Sequence, residues 1–386
     1  MTNGETLRPE SPEMLREIVA RAARDGVAIE AMGGGTKRDV GRPNRGNTLV
    51  DISAMKGVVD YEPTELVLTV RPGTPLVEIE TLLGERGQML AFEPWDHGAI
   101  FGRKSGATIG GIVAAGIAGP RRVSAGGARD HLLGFEAVSG RGEIFKGGGK
   151  VVKNVTGYDM PKIIAGSWGQ LAIMTELTLK VLPKPRSVVT IWIRGLSTES
   201  AVDAMAHAMG SPCAVAAAAH TPKTADNPST TAFRLEGITE SVLARIEELG
   251  SVLAIHGDCT AMTPEGSTKF WRDVAAGDAL AESEALWRAH VAPSRAGALT
   301  TALQAFGARY ILDWAGAALW IGAPSDRPIR SVVNAAGGHA MLIRAPAESR
   351  YSIPIREPEV PAVAALSARV KKAFDPAGIL DPRRFS

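Results

Sequence analysis

The 386-residue sequence predicts a two-domain α+β protein, and two patterns carry the prediction. Over residues 1–185 short apolar strands alternate with helices, the pattern of a mixed sheet with covering helices. Over residues 186–346 the order strand–helix–strand recurs in degenerate form, the pattern of an antiparallel sheet with helices on one face. Glycine-rich stretches crowd the first part and thin out in the second, so the second reads as a cap. Residues 347–386 return to strong helix and turn signals and are read as a C-terminal segment rejoining the first domain.

The elements follow in order. Ser11 caps a helix that opens with Pro12 and Glu13, carries Met14, Leu15, Ile18, Val19 and Ala22 at helical spacing, and stops at Asp25-Gly26. Val27–Ile29 reads as a buried strand entering Gly33-Gly34-Gly35-Thr36-Lys37. Leu49–Ile52 and Leu66–Val70 are strands, the latter ended by the turn Arg71-Pro72-Gly73. Pro75–Arg86 is a helix capped by Thr74. After the glycine-rich Ala107–Gly119 come strands Leu132–Ser139 and Glu143–Lys146 around an Arg141-Gly142 turn. A short helix Met160–Gly166 and a long strand Leu171–Val181 follow, and Pro183-Lys184-Pro185 marks the boundary.

In the second domain Ser187–Ile193, Val202–Met209 and Ala214–Ala219 read as strand, helix, strand. Thr231–Leu235, Ser241–Leu249 and Val252–Ala254 repeat that order. Ala308–Trp314, Ala317–Ile321, Ile329–Ala336 and His339–Arg344 read as strand, strand, helix, strand. Val360–Phe374 is an amphipathic helix, and Asp375–Pro382 a rigid turn.

Composition excludes several classes. The net charge of +2, without a dense basic run interleaved with aromatics, gives no reason to invoke nucleic acid. Two cysteines, Cys213 and Cys259, build neither a disulfide framework nor an iron–sulfur or zinc site by themselves. Met1–Pro12 lacks an apolar signal core, and no apolar run approaches the ~18 residues that span a bilayer. The expected location is the cytoplasm, with peripheral association to the inner membrane left open.

The chemistry lies in backbone. From Thr108 to Pro120 every residue after the opening Thr is Gly, Ala, Ile, Val or Pro, so main-chain N–H groups can approach another molecule closely. Gly33–Lys37 offers successive N–H donors and the Thr36 hydroxyl, as an anion nest does, or it is a plain connection. It is neither a Walker loop nor Gly-x-Gly-x-x-Gly. Ala107–Gly119 reads as a ligand surface or as tight core packing. The adjacent Arg121, Arg122 and Ser124 favour the ligand, because a cationic fork beside dry backbone is costly without an anion. Gly166–Ile173 is a turn launching a strand, whose backbone edge suits an adenine. Together the two glycine surfaces suggest a dinucleotide held through its pyrophosphate.

These segments, with Val70–Thr74, Gly157–Met160 and Phe374–Pro382, resemble the FAD-binding fold of the vanillyl-alcohol oxidase/p-cresol methylhydroxylase (PCMH-type) superfamily. The likeness covers roughly residues 1–185 and the last 25. Lys153–Asp159 and Asp313-Trp314-Ala315-Gly316 further resemble the E-type FAD-binding subunits of bacterial glycolate oxidases, companions of a second flavin subunit and an iron–sulfur subunit. The resemblance implies a split flavin domain with an antiparallel-sheet cap, and FAD as cofactor. It implies that Gly33, Gly34, Gly35, Thr36 and Lys37 bind the pyrophosphate. Ser105, Gly106, Thr108, Gly110, Gly111, Ala115 and Gly119 would line the ribityl chain and flavin. Arg122 and Ser124 would reach phosphate or ribityl oxygens, Ile173 would offer its backbone to the adenine, and Asp381 and Arg384 would sit near the isoalloxazine.

The implied function is participation in oxidising glycolate to glyoxylate in a glycolate oxidase complex. This subunit would be a flavin electron relay beside a catalytic flavin subunit that takes the 2-hydroxy acid. Two other readings stay open: a self-sufficient FAD oxidoreductase of another small hydroxy acid or alcohol, and a structural assembly subunit with a degenerate flavin site.

Departures from the pattern shape the expectations. The first glycine loop holds neither His nor Cys, so FAD is expected to be noncovalent. Related D-2-hydroxyacid enzymes carry paired metal-binding histidines in the cap. Here no two of the seven histidines stand three to seven residues apart, and no metal site is expected. A clamp-plus-base arrangement for a 2-hydroxy acid is not evident. Lys153 and His339 are the candidate catalytic groups. Lys153 is set against a solvated loop charge, and His339 against a satisfied structural histidine. Tyr158 reads as a packing residue and Trp320 as core.

Overall fold

The computed structural model describes residues 5–43, 46–94, 96–103, 106–150 and 157–385. It divides into two compact units: residues 1–118, 126–184 and 358–386 form the first, and 119–125 with 185–357 the second.

The first unit starts from a parallel sheet in the order β1 (Thr6–Leu7), β3 (Thr48–Asp51), β2 (Ile29–Met32). The helix Pro12–Asp25 covers it. The Ser11 hydroxyl accepts the Met14 N–H at 3.2 Å, and Gly26 closes the helix in the left-handed region at φ 65°. The helix buries Leu15, Val19 and Ala22 against Ile29, Val50, Val138 and Ile173, each large apolar side chain contributing ~1.5–3 kcal/mol. The second sheet is antiparallel. Its order is β4 (Val58–Glu62), β5 (Val67–Val70), β9 (Ala172–Lys180), β7 (Leu132–Ser139), β8 (Ile144–Gly148). A short pair, β6 (Gln88–Met89) with β10 (Leu182–Pro183), completes the strands of this unit. The helix Leu76–Glu85 buries Leu76, Ile79 and Leu83 into the core of this sheet. Thr74 is not its cap: Pro75 holds that position, and the Thr74 hydroxyl donates to the Arg71 carbonyl at 2.7 Å, closing the preceding turn.

The second glycine run folds as a two-turn helix, Ile109–Ala115, with Ile109, Ile112 and Val113 buried. Strand β4, absent from the sequence reading, is an edge strand with mostly exposed residues, so alternation gave no signal. The helix Pro361–Phe374 forms as expected, but much of its apolar stripe faces outward: Val363 and Leu366 are 46% and 51% exposed. Asp375 then ties the turn, accepting the N–H groups of Ile379 (3.0 Å) and Leu380 (2.8 Å).

The second unit is one eight-stranded antiparallel sheet made of two copies of a split βαβ motif. The first copy is β11 (Ser187–Arg194), helix Thr198–Gly210, β12 (Ala217–Thr221), β13 (Thr230–Gly237), helix Thr239–Leu253 and β14 (Thr260–Ala261). The second is β15 (Ala285–His290), helix Ala296–Ala305, β16 (Arg309–Asp313), β17 (Ala318–Ala323), helix Ile329–Ala335 and β18 (His339–Arg344). The sheet order is β14-β11-β13-β12-β16-β17-β15-β18, so the copies join at β12 and β16, where His220 faces Leu312.

Two differences from the sequence reading have physical causes. Val252–Ala254 ends a helix instead of forming a strand; its apolar pair packs Leu253 inward from the last turn. Strand β15 was missed because Ala285–Ala289 is buried on both faces, which erases the period-two pattern.

Candidate functional site

Strand β2 delivers the first glycine loop to the start of the helix Ile109–Ala115. The two chain segments touch. A Cβ on Gly34 would lie 1.6 Å from the Gly106 carbonyl oxygen, and one on Gly110 would lie 2.6 Å from Pro72 Cβ. These glycines therefore serve packing between chain segments. Asp96 fixes the second segment, its Oδ2 accepting the N–H groups of Gly106 (2.9 Å) and Ala107 (3.3 Å).

A cleft opens between the segments. It is lined by Glu30, Gly33, Gly34, Gly35, Thr36, Lys37, Arg38, Thr108, Gly111, Ala115, Trp168 and Arg384. Lys37 is 8% exposed, and burial lowers its pKa to about 8, with Asp96 pulling the other way. Its ammonium reaches the Thr36 hydroxyl at 3.4 Å. Arg384 arrives from the C-terminal turn. Its Nη2 donates to the Lys37 carbonyl at 2.7 Å, its Nη1 to Asp381 Oδ2 at 3.0 Å, and its guanidinium sits 5.3 Å from the Trp168 ring centre. Burial raises the Asp381 pKa, and the Arg384 charge opposes that rise. Glu30 is 3% exposed and takes a two-point contact from Arg38 at 3.0 and 3.2 Å.

Two buried polar atoms at this cleft meet no hydrogen-bond partner among the described residues: Thr108 Oγ1 and Arg384 Nε. Leaving a buried donor unmet costs ~1–3 kcal/mol. With the desolvated Lys37 and the loop N–H groups, these donors suit an anionic ligand that brings its own acceptors. The residues present fit the pyrophosphate of a dinucleotide.

The structure thus brings Gly33, Gly34, Gly35, Thr36, Lys37, Thr108, Gly111, Ala115 and Arg384 to one cleft, with Asp381 positioning Arg384. It places the other candidates elsewhere. Gly106 and Gly110 do not line the cleft: the Gly106 carbonyl abuts Gly34, and Gly110 abuts Pro72. Ile173 is buried on β9 opposite Val138 of β7, while β5 covers only Leu177–Lys180 on the other edge of that strand. Gly119, Arg122 and Ser124 belong to the second unit. There Ser124 donates to the Ala216 carbonyl at 2.8 Å, and the Arg122 guanidinium lies 5.8 Å from the Trp314 ring centre. The Arg121 fork, read from sequence as awaiting a phosphate, binds Glu236 through Nε at 2.9 Å and Nη2 at 2.8 Å; its anion is internal. Tyr158 is 87% exposed, so it is no packing residue, whereas Trp320 is core at 1%. His339 starts β18 in the second unit. Ser105 and Lys153 lie outside the described residues.

Sequence reasoning missed Glu30, Arg38, Asp96 and Trp168. Trp168 alone carried a local signal, standing between Gly166 and Gly169 in the turn singled out for its backbone.

Comparison with known proteins agrees with this geometry. A family model described as an FAD binding domain matches residues 5–148. Glycolate oxidase subunit GlcE of Escherichia coli (strain K12) is 34% identical over 381 residues, 96% of this chain and 96% of that protein. Glycolate oxidase subunit GlcD of Bacillus subtilis (strain 168) is 29% identical over 186 residues, 48% of this chain and 38% of that one. Among solved structures, p-cresol methylhydroxylase with substrate bound aligns with a TM-score of 0.71 at 15% identity, covering 98% of this chain and 88% of that one. An alkyldihydroxyacetonephosphate synthase aligns with a TM-score of 0.73 at 18% identity, covering 98% and 76%; at such identity both show the fold alone. The chain is an FAD-binding oxidoreductase subunit with the PCMH-type fold, and it belongs to the family of glycolate oxidase subunit GlcE.

Proposed function

We propose that this chain is the FAD-binding subunit of a glycolate oxidase complex, taking part in the oxidation of glycolate to glyoxylate. The observation that carries the reading is the end-to-end likeness to GlcE. The cleft supports it: Lys37, Thr36, Thr108, Arg384 and the loop N–H groups would hold the pyrophosphate of FAD. Attachment would be noncovalent, since Met32–Thr36 offers neither His nor Cys. Bound FAD supplies a two-electron acceptor. The relatives named GlcE and GlcD support an assembly with a second flavin subunit, and an iron–sulfur subunit completes the proposal. Within it this chain holds its FAD as an electron relay, and substrate is oxidised on the companion. Among the described residues no helix is long and apolar enough to cross a membrane, and no group of three or more His, Cys, Asp or Glu is placed to hold a metal ion.

A second reading, oxidation of a hydroxy acid by this chain itself, is favoured by one observation. His290 and His339, 49 positions apart in sequence, face each other with ring centres 5.1 Å apart beside the buried Arg288. The two readings separate in one experiment. Glycolate is added without oxygen to the flavin-loaded chain, and the visible bands are followed. The relay predicts no bleaching until the companion flavin subunit is supplied; bleaching by the chain alone refutes it.

A further inference from the structure

The His290–His339 pair belongs to a larger cationic and aromatic cluster in the second unit. On β15, Arg288 and His290 project to the same face, two residues apart. Across the sheet, Arg288 faces Trp320 on β17, and His290 faces His339 on β18. Arg288 is 5% exposed. Its Nη2 donates to Asp313 Oδ2 at 3.2 Å, and Asp313 is itself fully buried. Its Nη1 is buried and meets no hydrogen-bond acceptor among the described residues. The guanidinium lies near two indoles, 4.7 Å from the Trp320 ring centre and 5.0 Å from that of Trp314.

Trp314 is held there by strained backbone. Trp314 and Ala315 both adopt positive φ, 52° and 54°, where side chains are disfavoured. The Trp314 indole N–H donates to the Gly119 carbonyl at 3.0 Å, its ring centre lies 5.0 Å from that of His290, and the Arg122 guanidinium lies 5.8 Å from it. The cluster therefore grades from a buried guanidinium through half-buried His290 and Trp314 to the exposed His339 and Arg122.

From this geometry we infer that Arg288, His290 and His339 form a binding site for a small carboxylate of the 2-hydroxy-acid class. The carboxylate supplies the acceptor that Arg288 Nη1 lacks, and the His339 imidazole and Arg122 close over it from the exposed side. Electrostatics agree. Burial, then Arg288, His339 and Arg122, drive the His290 pKa down to about 3, so its imidazole stands neutral beside the Arg288 and Arg122 guanidinium groups, whose field an anion would relieve. Asp313 is the carboxylate facing the group, and Arg288 already engages it. A neutral His290 can accept the hydrogen bond of a substrate hydroxyl. The sequence hid the site because Arg288, Asp313 and His339 have no motif spacing; the sheet register assembles them.

The inference rests on the second reading above, and its test reads binding without turnover. Oxalate, a carboxylate that cannot donate hydride, is titrated into the flavin-loaded full chain while histidine ring signals are followed by NMR. Saturable shifts of the His290 and His339 signals are expected, assigned by their loss in His290→Gln and His339→Ala. Affinity should fall about tenfold in His339→Ala, equivalent to ~1.4 kcal/mol. Arg288→Met should abolish binding, with circular dichroism checking that the sheet survives. His339 is exposed, so its variant keeps the test informative if Arg288→Met fails to fold. No shift of either ring at saturating oxalate overturns the site, and phosphate binding as tightly as oxalate overturns the carboxylate assignment. Oxalate binding with no bleaching by glycolate would keep the site and remove own turnover. Bleaching without ring shifts would do the reverse.

Discussion

Replacing Lys37 with Met should move stability and cofactor affinity in opposite directions. In the flavin-free chain the ammonium is buried, and its pKa falls from 10.5 to about 8. A tenfold change in an acid dissociation constant corresponds to ~1.4 kcal/mol, so charging this group in place costs about 3 kcal/mol at neutral pH. Met fills similar volume without charge. The flavin-free Lys37→Met chain should therefore be more stable by about 2–3 kcal/mol, a gain of several degrees in Tm. The same change removes a charge-assisted bond to an anion, worth ~1.5–3 kcal/mol, so FAD should bind about 10- to 100-fold more weakly. The pH dependence has a defined sign. The folded chain binds fewer protons than the unfolded one between pH 8 and 10.5, so flavin-free stability should rise with pH across that window. FAD affinity should fall above about pH 8, as the ammonium deprotonates, and Lys37→Met should lose both dependences. Thermal unfolding with and without FAD, and fluorescence titration with FAD from about pH 7 to about pH 10, measure these quantities. A flavin-free variant less stable than the parent, with unchanged FAD affinity, would show that Lys37 neither strains the empty site nor holds the cofactor.

Other outcomes follow from the same structure. Gly34→Ala places a methyl into the Gly106 carbonyl and should cost ~1–3 kcal/mol and most FAD binding, read by unfolding and flavin content. Arg384→Ala unties the C-terminal turn from the Lys37 carbonyl and leaves Asp381 without its Arg384 contact; FAD should dissociate faster while the second unit unfolds as before. Asp313→Ala strands the buried Arg288 and should destabilise the second unit by ~3–5 kcal/mol, measured by denaturant unfolding.

Much of the flavin-side architecture was legible because its signals are local. Ser11-Pro12 and Gly26 bracket the first helix, and the loop Gly33–Lys37 announces itself by composition. The burial of Lys37 was not legible, since it depends on how β2 and the second glycine segment close together. The second glycine run misled in a different way. Gly110 makes room for Pro72, so part of what read as ligand surface is chain-to-chain packing. Arg121 misled for a similar reason, because its partner Glu236 lies 115 positions away. In the second unit the repeated strand–helix pattern was visible, but β15 was not, being buried on both faces. With β15 hidden, Arg288 and His290 could not be placed beside His339.

Flavin content of the purified chain is the measurement to make first. The full chain is purified, its visible spectrum recorded, and flavin counted in the supernatant after acid precipitation. Oxidised-flavin bands are expected, with all the yellow colour released as FAD. A colourless chain that added FAD does not convert would contradict FAD binding, and colour retained in the precipitate would contradict noncovalent attachment.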